Sequence, residues 1–223
     1  MPVYYHYQSV ADIEELKGKT LPVLPVGSIE QHCTGPLGLD ALIAEALAAR
    51  SCLLAENRGV TCLILPTLYY GFSPEWRGGT ITLRTTTLVD IISDIASSLS
   101  REGLDKLAII NGHGGNSGIL EAAAREASAR TGVTIAVIDY WRLAGVRLGH
   151  CDKQEEELLR GLLGLTSRCE CPLKAHSKPY RITASNPPGT GLESQSWKSV
   201  GEIVRAVADA IVDFASYNGG PVL

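Results

Sequence analysis

The sequence predicts an α/β fold, a three-layer α/β/α sandwich on a mainly parallel sheet, and two observations carry that prediction. Short runs such as "CLILP" (62–66) and "LAIIN" (107–111) are apolar throughout instead of alternating, the pattern of strands buried on both faces. Helical patterns separate these runs, and strands joined through helices pair in parallel. A chain of 223 residues, 45% hydrophobic and 20% charged, can bury such a core, and we expect one domain spanning 1–223.

The elements follow in order. "SVADIEELKGK" reads as a helix, with Ser9 as its cap, Asp12 in its first turn and Gly18 near its end. "LPVLPV" (21–26) is the first strand, and residues 39–56 form a long amphipathic helix. "VTCLILP" (60–66) is the second strand. A loop rich in Tyr, Gly and Pro follows, "TLYYGFSPEWRGG", and then a short strand, "TITLRT". "TTLVDIISDIASSLSREG" reads as a capped helix ending at Gly103. "KLAIIN" (106–111) is the third strand, leading through "GHGGN" into a helix that ends at Gly132. "VTIAVIDYW" is the fourth strand. "DKQEEELLRGLLGL" reads as a helix whose acidic first turn suits the helix dipole. Residues 171–191 hold too much Pro, Ser and Gly for regular structure throughout, and a final amphipathic helix closes the chain.

A net charge of −4 with no basic cluster argues against a nucleic-acid or anionic-membrane partner. The N-terminus lacks the basic start and apolar core of a signal peptide, and no apolar run approaches the roughly 18 residues of a membrane span. We therefore expect a cytoplasmic protein. Its six cysteines are scattered along the chain, which speaks against a disulfide framework. Cys52 and Cys62 read as small core residues. Cys169 and Cys171 are the only close pair, a weak zinc signal without a second pair.

In open α/β sheets ligands bind beyond the carboxyl ends of the strands. Three polar segments fall there: residues 27–40, 69–79 and 111–117. In "GSIEQHCTGPLGLD", Glu30 and His32 are two apart, so an extended chain would point them to one side and Gln31 to the other. Asp40 opens a helix, where an Asp often serves as a cap. In "NGHGGN" the glycines leave the backbone free to bring His113 into a crowded cavity. The same loop makes a poor phosphate cradle, having neither the GxGxxG register nor a following Lys. His113 could also be a plain turn residue, and Glu30 an ion-pair partner for an arginine. Together, however, imidazoles and carboxylates at neighbouring strand ends suit Zn²⁺, Mn²⁺ or Fe²⁺. Cys33, beside His32, would need its own base and oxyanion donors to act as a nucleophile.

"VLPVGSIEQH…GPLGLD", "YYGFSPEWRGGTITL" and "INGHGGN" together resemble the creatininase (creatinine amidohydrolase) family over roughly residues 21–160. The resemblance implies a creatininase-like three-layer fold and a metal-dependent hydrolase of non-peptide C–N bonds. It implies two divalent metal ions (Fe²⁺, Zn²⁺ or Mn²⁺), a small-molecule amide substrate and a homo-oligomer. Carried over residue by residue, Glu30 and His113 would hold one ion and His32 the other, with Asp40 bridging both. His150 and Glu155 fall where the family has its later His-Ala-Gly-x-x-Glu segment. Glu155 would complete the second ion's shell and His150 would shuttle the proton to the leaving nitrogen. An acidic helix start would explain Glu155 equally well.

The chain departs from the family pattern at several places. The turn between His32 and Asp40 is one residue short and lacks a second His. Trp76 stands where many relatives have His, and Cys151-Asp152 replaces Ala-Gly. Gly114-Gly115 follows His113 where creatininases proper resemble a form with Tyr-Glu. That last difference points to relatives that deformylate a formamidopyrimidine nucleotide. Arg77, Arg84 and Lys178 are candidate contacts for the phosphate of such a substrate. A hydrolase of creatinine or another cyclic amide is one alternative reading, and a non-enzymatic nucleotide or anion binder is another.

Overall fold

The computed structural model describes residues 3–76, 78–145, 150–165 and 198–219. Arg77, Lys178, the Cys169/Cys171 pair and the irregular stretch 171–191 lie outside the described residues.

The described chain folds into a parallel sheet of β1 (Val3–Tyr4), β2 (Thr20–Val26), β3 (Thr61–Ile64), β4 (Lys106–Asn111) and β5 (Thr134–Asp139). Its order is β1-β3-β2-β4-β5, and every named pair is parallel. The helices are α1 (Val10–Leu16), α2 (Leu39–Glu56), α3 (Thr85–Arg101), α4 (Ser117–Thr131), α5 (Tyr140–Ala144), α6 (Lys153–Leu163) and α7 (Val200–Ser216).

Alternating strand residues feed two cores. Leu21 and Val23 of β2, with Ala108 and Ile110 of β4, pack against α2, α5, α6 and α7. Leu24 and Val26, with Leu107 and Ile109, face α1, α3 and α4. Both faces of the sheet are therefore covered, which is why these strands read as unbroken apolar runs. Cys52 and Cys62 are buried in the first core, as their sequence context suggests.

Several local features differ from expectation. "TITLRT" forms no ladder strand: Ile81 makes a single antiparallel bridge to Ile29, and Leu83 N–H donates to the Gly71 carbonyl. The helix after it begins on Arg84 with no side-chain cap. The fourth predicted strand stops at Asp139, and Tyr140 and Trp141 begin α5. The edge strand β1 was not expected, since two residues are too few to leave a periodic signal. Cys33 is disulfide-bonded, although the scattered cysteines spoke against a disulfide framework, whereas Cys52, Cys62 and Cys151 carry free thiols. The bond leaves Cys33 no thiolate for nucleophilic attack.

Candidate metal centre

From β2 the chain crosses to β3 on one side, and β4 is later laid on the other. The carboxyl ends of β2 and β4 thus flank the reversal in strand order, where α/β sheets open a crevice. Glu30 and His32 follow β2, and His113 follows β4. Asp40 arrives from a third direction, in the first turn of α2. Gly38, not Asp40, is the N-cap of that helix, which leaves the Asp40 carboxylate free for the site. Gly112 lets α2 approach the end of β4 this closely: a Cβ there would run into the Asp40 carbonyl oxygen.

The four side chains are buried, three of them 1–2% exposed and His113 9%. His32 Nε2 lies 3.1 Å from Asp40 Oδ1, and His113 Nδ1 lies 3.0 Å from Asp40 Oδ2. Glu30 Oε1 is 3.3 Å from His113 Nδ1 and 3.6 Å from His32 Nε2. Asp40 therefore presents one oxygen to each imidazole.

The far nitrogens decide what these contacts mean. His32 Nδ1 sits 3.0 Å from the Glu30 carbonyl, and His113 Nε2 sits 3.1 Å from the Phe72 carbonyl. A carbonyl only accepts, so each of these nitrogens carries the ring proton and donates it. The other nitrogen of each neutral ring then turns a lone pair toward carboxylate oxygens, which repels. Only a positive charge between them resolves this, either a second proton on each ring or a metal ion. His32 Nε2, Glu30 Oε2 and Asp40 Oδ2 have no hydrogen-bond partner among the described residues, as expected of atoms arranged around a cation. A backbone carbonyl that fixes the tautomer of a histidine is also the usual support of a metal-ligating ring.

The charges respond accordingly. Burial pulls the His32 imidazolium down, but Asp40, then Glu155 and Glu30, outweigh it and raise its pKa to about 10. For His113 burial acts in the same sense, and Glu30 and Asp40 push the pKa well above the ordinary value. Burial opposes ionisation of Glu30, yet His113 foremost, with His150 and His32, holds its carboxyl well below the usual carboxylate range.

Glu155, 2% exposed, plays two parts. Asp152 caps α6 by accepting from Glu155 N–H at 3.0 Å, and Asp152 N–H lies 3.4 Å from Glu155 Oε2, a capping box. The same carboxylate joins His32 and Asp40 in a group able to hold an ion. The cap and the site thus use one residue, and the acidic helix start does not compete with a ligand role. Glu30, Asp40 and His113 form a second such group, and Glu30, His32 and His150 a third. His150 Nδ1 is 3.4 Å from Glu30 Oε1, so the structure brings all six predicted site residues together.

The sequence did not reveal several neighbours. Ser73 Oγ lies 2.9 Å from His113 Nε2 and is itself 2.9 Å from Ser28 Oγ. Asn111 accepts from His113 N–H and donates to Asp139 at 2.8 Å. Tyr140 is fully buried with its hydroxyl unpartnered among the described residues, and burial, with Glu155 and Asp40 nearby, keeps that hydroxyl protonated. Gln31 does not face away: residues 30–32 are not a regular strand, and its amide nitrogen reaches His150 Nε2 at 3.5 Å. A groove of about 560 Å³ along β5, lined by Glu121, Arg125 and Asp139 among others, contains none of the six site residues.

A family model described as creatinine amidohydrolase matches residues 6–161. Creatinine amidohydrolase of Pseudomonas putida is 30% identical over 141 residues, 56% of this chain and 51% of that protein. A mycofactocin precursor peptide peptidase of Mycolicibacterium smegmatis is 34% identical over 108 residues, 45% of this chain and 42% of that protein. The chain thus matches about half the length of these curated relatives. The solved manganese form of creatininase superposes with a TM-score of 0.73 at 25% identity, covering 97% of this chain and 100% of that one, and a Zn–Zn form matches equally well.

Proposed function

The chain belongs to the creatinine amidohydrolase family, and from that premise we propose that it is a divalent-metal amidohydrolase cleaving a non-peptide C–N bond of a small amide. The observation that carries this reading is the pair of imidazoles whose second nitrogens face carboxylates, with no hydrogen-bond partner for His32 Nε2 among the described residues. Glu30 and His113 would hold one ion, His32 and Glu155 a second, and Asp40 would give one oxygen to each. Zinc or manganese, the metals named for solved creatininases, suits this set of oxygen and imidazole donors, and so does iron.

When bound, divalent ions supply Lewis-acid polarisation of a carbonyl and a more acidic water. The protein's own groups supply the rest. Glu30, Asp40 and Glu155 offer carboxylate oxygens that suit cations, and in the metal-free chain the raised pKa values of His32 and His113 balance much of that charge. The absence of a Lys after the glycine loop weighs against a non-enzymatic anion binder. His150 would accept a proton and pass it to the leaving nitrogen, with Glu30 Oε1 3.4 Å from its Nδ1.

For the substrate we infer a formamide, of the formamidopyrimidine ribonucleotide type, ahead of creatinine. Gly115 supports this choice. A Cβ there would collide with the His113 ring and the Phe72 carbonyl, so no side chain can add a ligand at that position, in contrast to the Glu expected there in creatininases proper. Metal analysis of the purified chain, followed by hydrolysis assays on formamides, creatinine and lactams with Fe²⁺, Mn²⁺ and Zn²⁺ supplied anaerobically, tests the proposal. We expect metal-dependent release of formate and loss of metal binding in His113→Ala. A chain that retains no divalent ion under loading would refute it.

A further inference from the structure

The ring of His150 has two long polar contacts at its nitrogens and a close face-on contact. Its nitrogens meet Glu30 Oε1 at 3.4 Å and Gln31 Nε2 at 3.5 Å. Both distances are longer than an ordinary hydrogen bond of about 2.7–3.2 Å, so these contacts are weak. Its faces are better filled. The Trp76 indole stacks on one at a centroid distance of 4.1 Å and an interplanar angle of 7°. His32 lies against the other at 4.8 Å and 26°. A histidine's second torsion is broad and poorly fixed by its own backbone, so neighbours must set the ring plane.

The contacts at the two nitrogens bias the tautomer, once the plane is set. Gln31 Oε1 accepts from Cys33 N–H at 2.7 Å, which turns the amide NH₂ toward His150. That group donates to Nε2, so the ring proton sits on Nδ1 and points at Glu30. If the ring tilted out of plane, both contacts would lengthen beyond hydrogen-bond range.

Trp76 reaches this position from a tight turn in which Trp76 N–H approaches the Ser73 carbonyl at 3.5 Å. Ser73, at the other end of the turn, contacts His113. We propose that Trp76 is a positioning residue for this site: the Ser73–Trp76 turn steadies His113 at one end and, through the indole stack, sets the plane and tautomer of His150 at the other. This inference rests on the amidohydrolase reading for its catalytic consequence but not for its structural one. A flat ring at position 76 is what the stack requires, so Phe should serve in place of Trp and Ala should not.

The test uses the full chain, ¹⁵N-labelled and loaded with Zn²⁺, with His150 resonances assigned through His150→Gln. In the unsubstituted chain and in Trp76→Phe we expect His150 ring protons shifted upfield and a single tautomer protonated at Nδ1. In Trp76→Ala we expect a mixture of tautomers with zinc content unchanged. On the formamide or creatinine that proves active, kcat of Trp76→Ala should fall by about 10–100-fold, as displacing a reacting group by about an ångström does. KM should move by no more than about threefold, and Trp76→Phe should recover most of the loss. If zinc binds and Trp76→Ala keeps the single tautomer and full kcat, the inference is overturned and the amidohydrolase reading stands. If no zinc binds the unsubstituted chain, that reading falls, and the tautomer comparison in the metal-free chain still decides the role of Trp76.

Discussion

His32 and His113 each spend one nitrogen on a backbone carbonyl and aim the other at Asp40. Without metal that second nitrogen must hold a proton. With His32 raised from 6.5 to about 10, its contribution to the stability of the metal-free fold is fully present below about pH 6.5 and lost as pH rises through about 10. The melting temperature of chelator-treated protein should fall across that window. Because an ion must displace the proton, metal uptake should release protons and tighten with rising pH. Calorimetry of Zn²⁺ binding in two buffers of different ionisation enthalpy will show this as a buffer-dependent heat, and equal heats would rule it out. Ser73→Ala removes a contact to His113 Nε2 and should weaken metal affinity by about 10–100-fold with little change in fold stability. Glu30, His32, Asp40 and His113 could be read in the sequence because their side-chain types suit few roles beside a strand end. Ser73, Tyr140 and Gln31 could not, because their meaning comes from contacts across the fold: Ser73 meets His113 40 residues away, and Gln31 meets His150 119 away.

At the scale of elements, the site depends on α2 and α6 delivering carboxylates to strand ends. Gly112→Ala should destabilise the protein by about 1–3 kcal/mol, since the new methyl meets backbone that cannot move without shifting α2. Thermal unfolding will measure the loss, and a melting temperature equal to that of the unsubstituted chain would show that α2 yields easily. Asp152→Ala removes the α6 cap and should cost about 1 kcal/mol, whereas Asp152→Asn keeps most of it. Helix α1 was legible because the Ser9 cap and the nearby Gly18 agree on its limits, and α4 ends at Gly132 as expected, whereas α2 spans Leu39–Glu56 without a side-chain cap and is buried around most of its circumference, not along one amphipathic face. "TITLRT" was not: its alternation resembles a strand, but its contacts are an isolated bridge from Ile81 to Ile29 and single hydrogen bonds to loops, not a ladder.

At the scale of the molecule, the strand order β3-β2-β4 puts the reversal between the strands that carry Glu30, His32 and His113. The sequence implies this only indirectly: apolar runs predict a parallel sheet, but strand order is decided by how helices cover its two faces. Among the described residues no helix is long and apolar enough to cross a membrane. An ion bound only by the folded chain should raise its stability by about 2.7 kcal/mol at one hundred times its dissociation constant. The most direct measurement is therefore the number of Zn²⁺ or Mn²⁺ ions held per chain, by equilibrium dialysis and elemental analysis, for the unsubstituted protein and Asp40→Ala. A centre bridged by Asp40 predicts two ions in the first and the loss of at least one in the second. No tightly held ion, or equal occupancy in both, would contradict it.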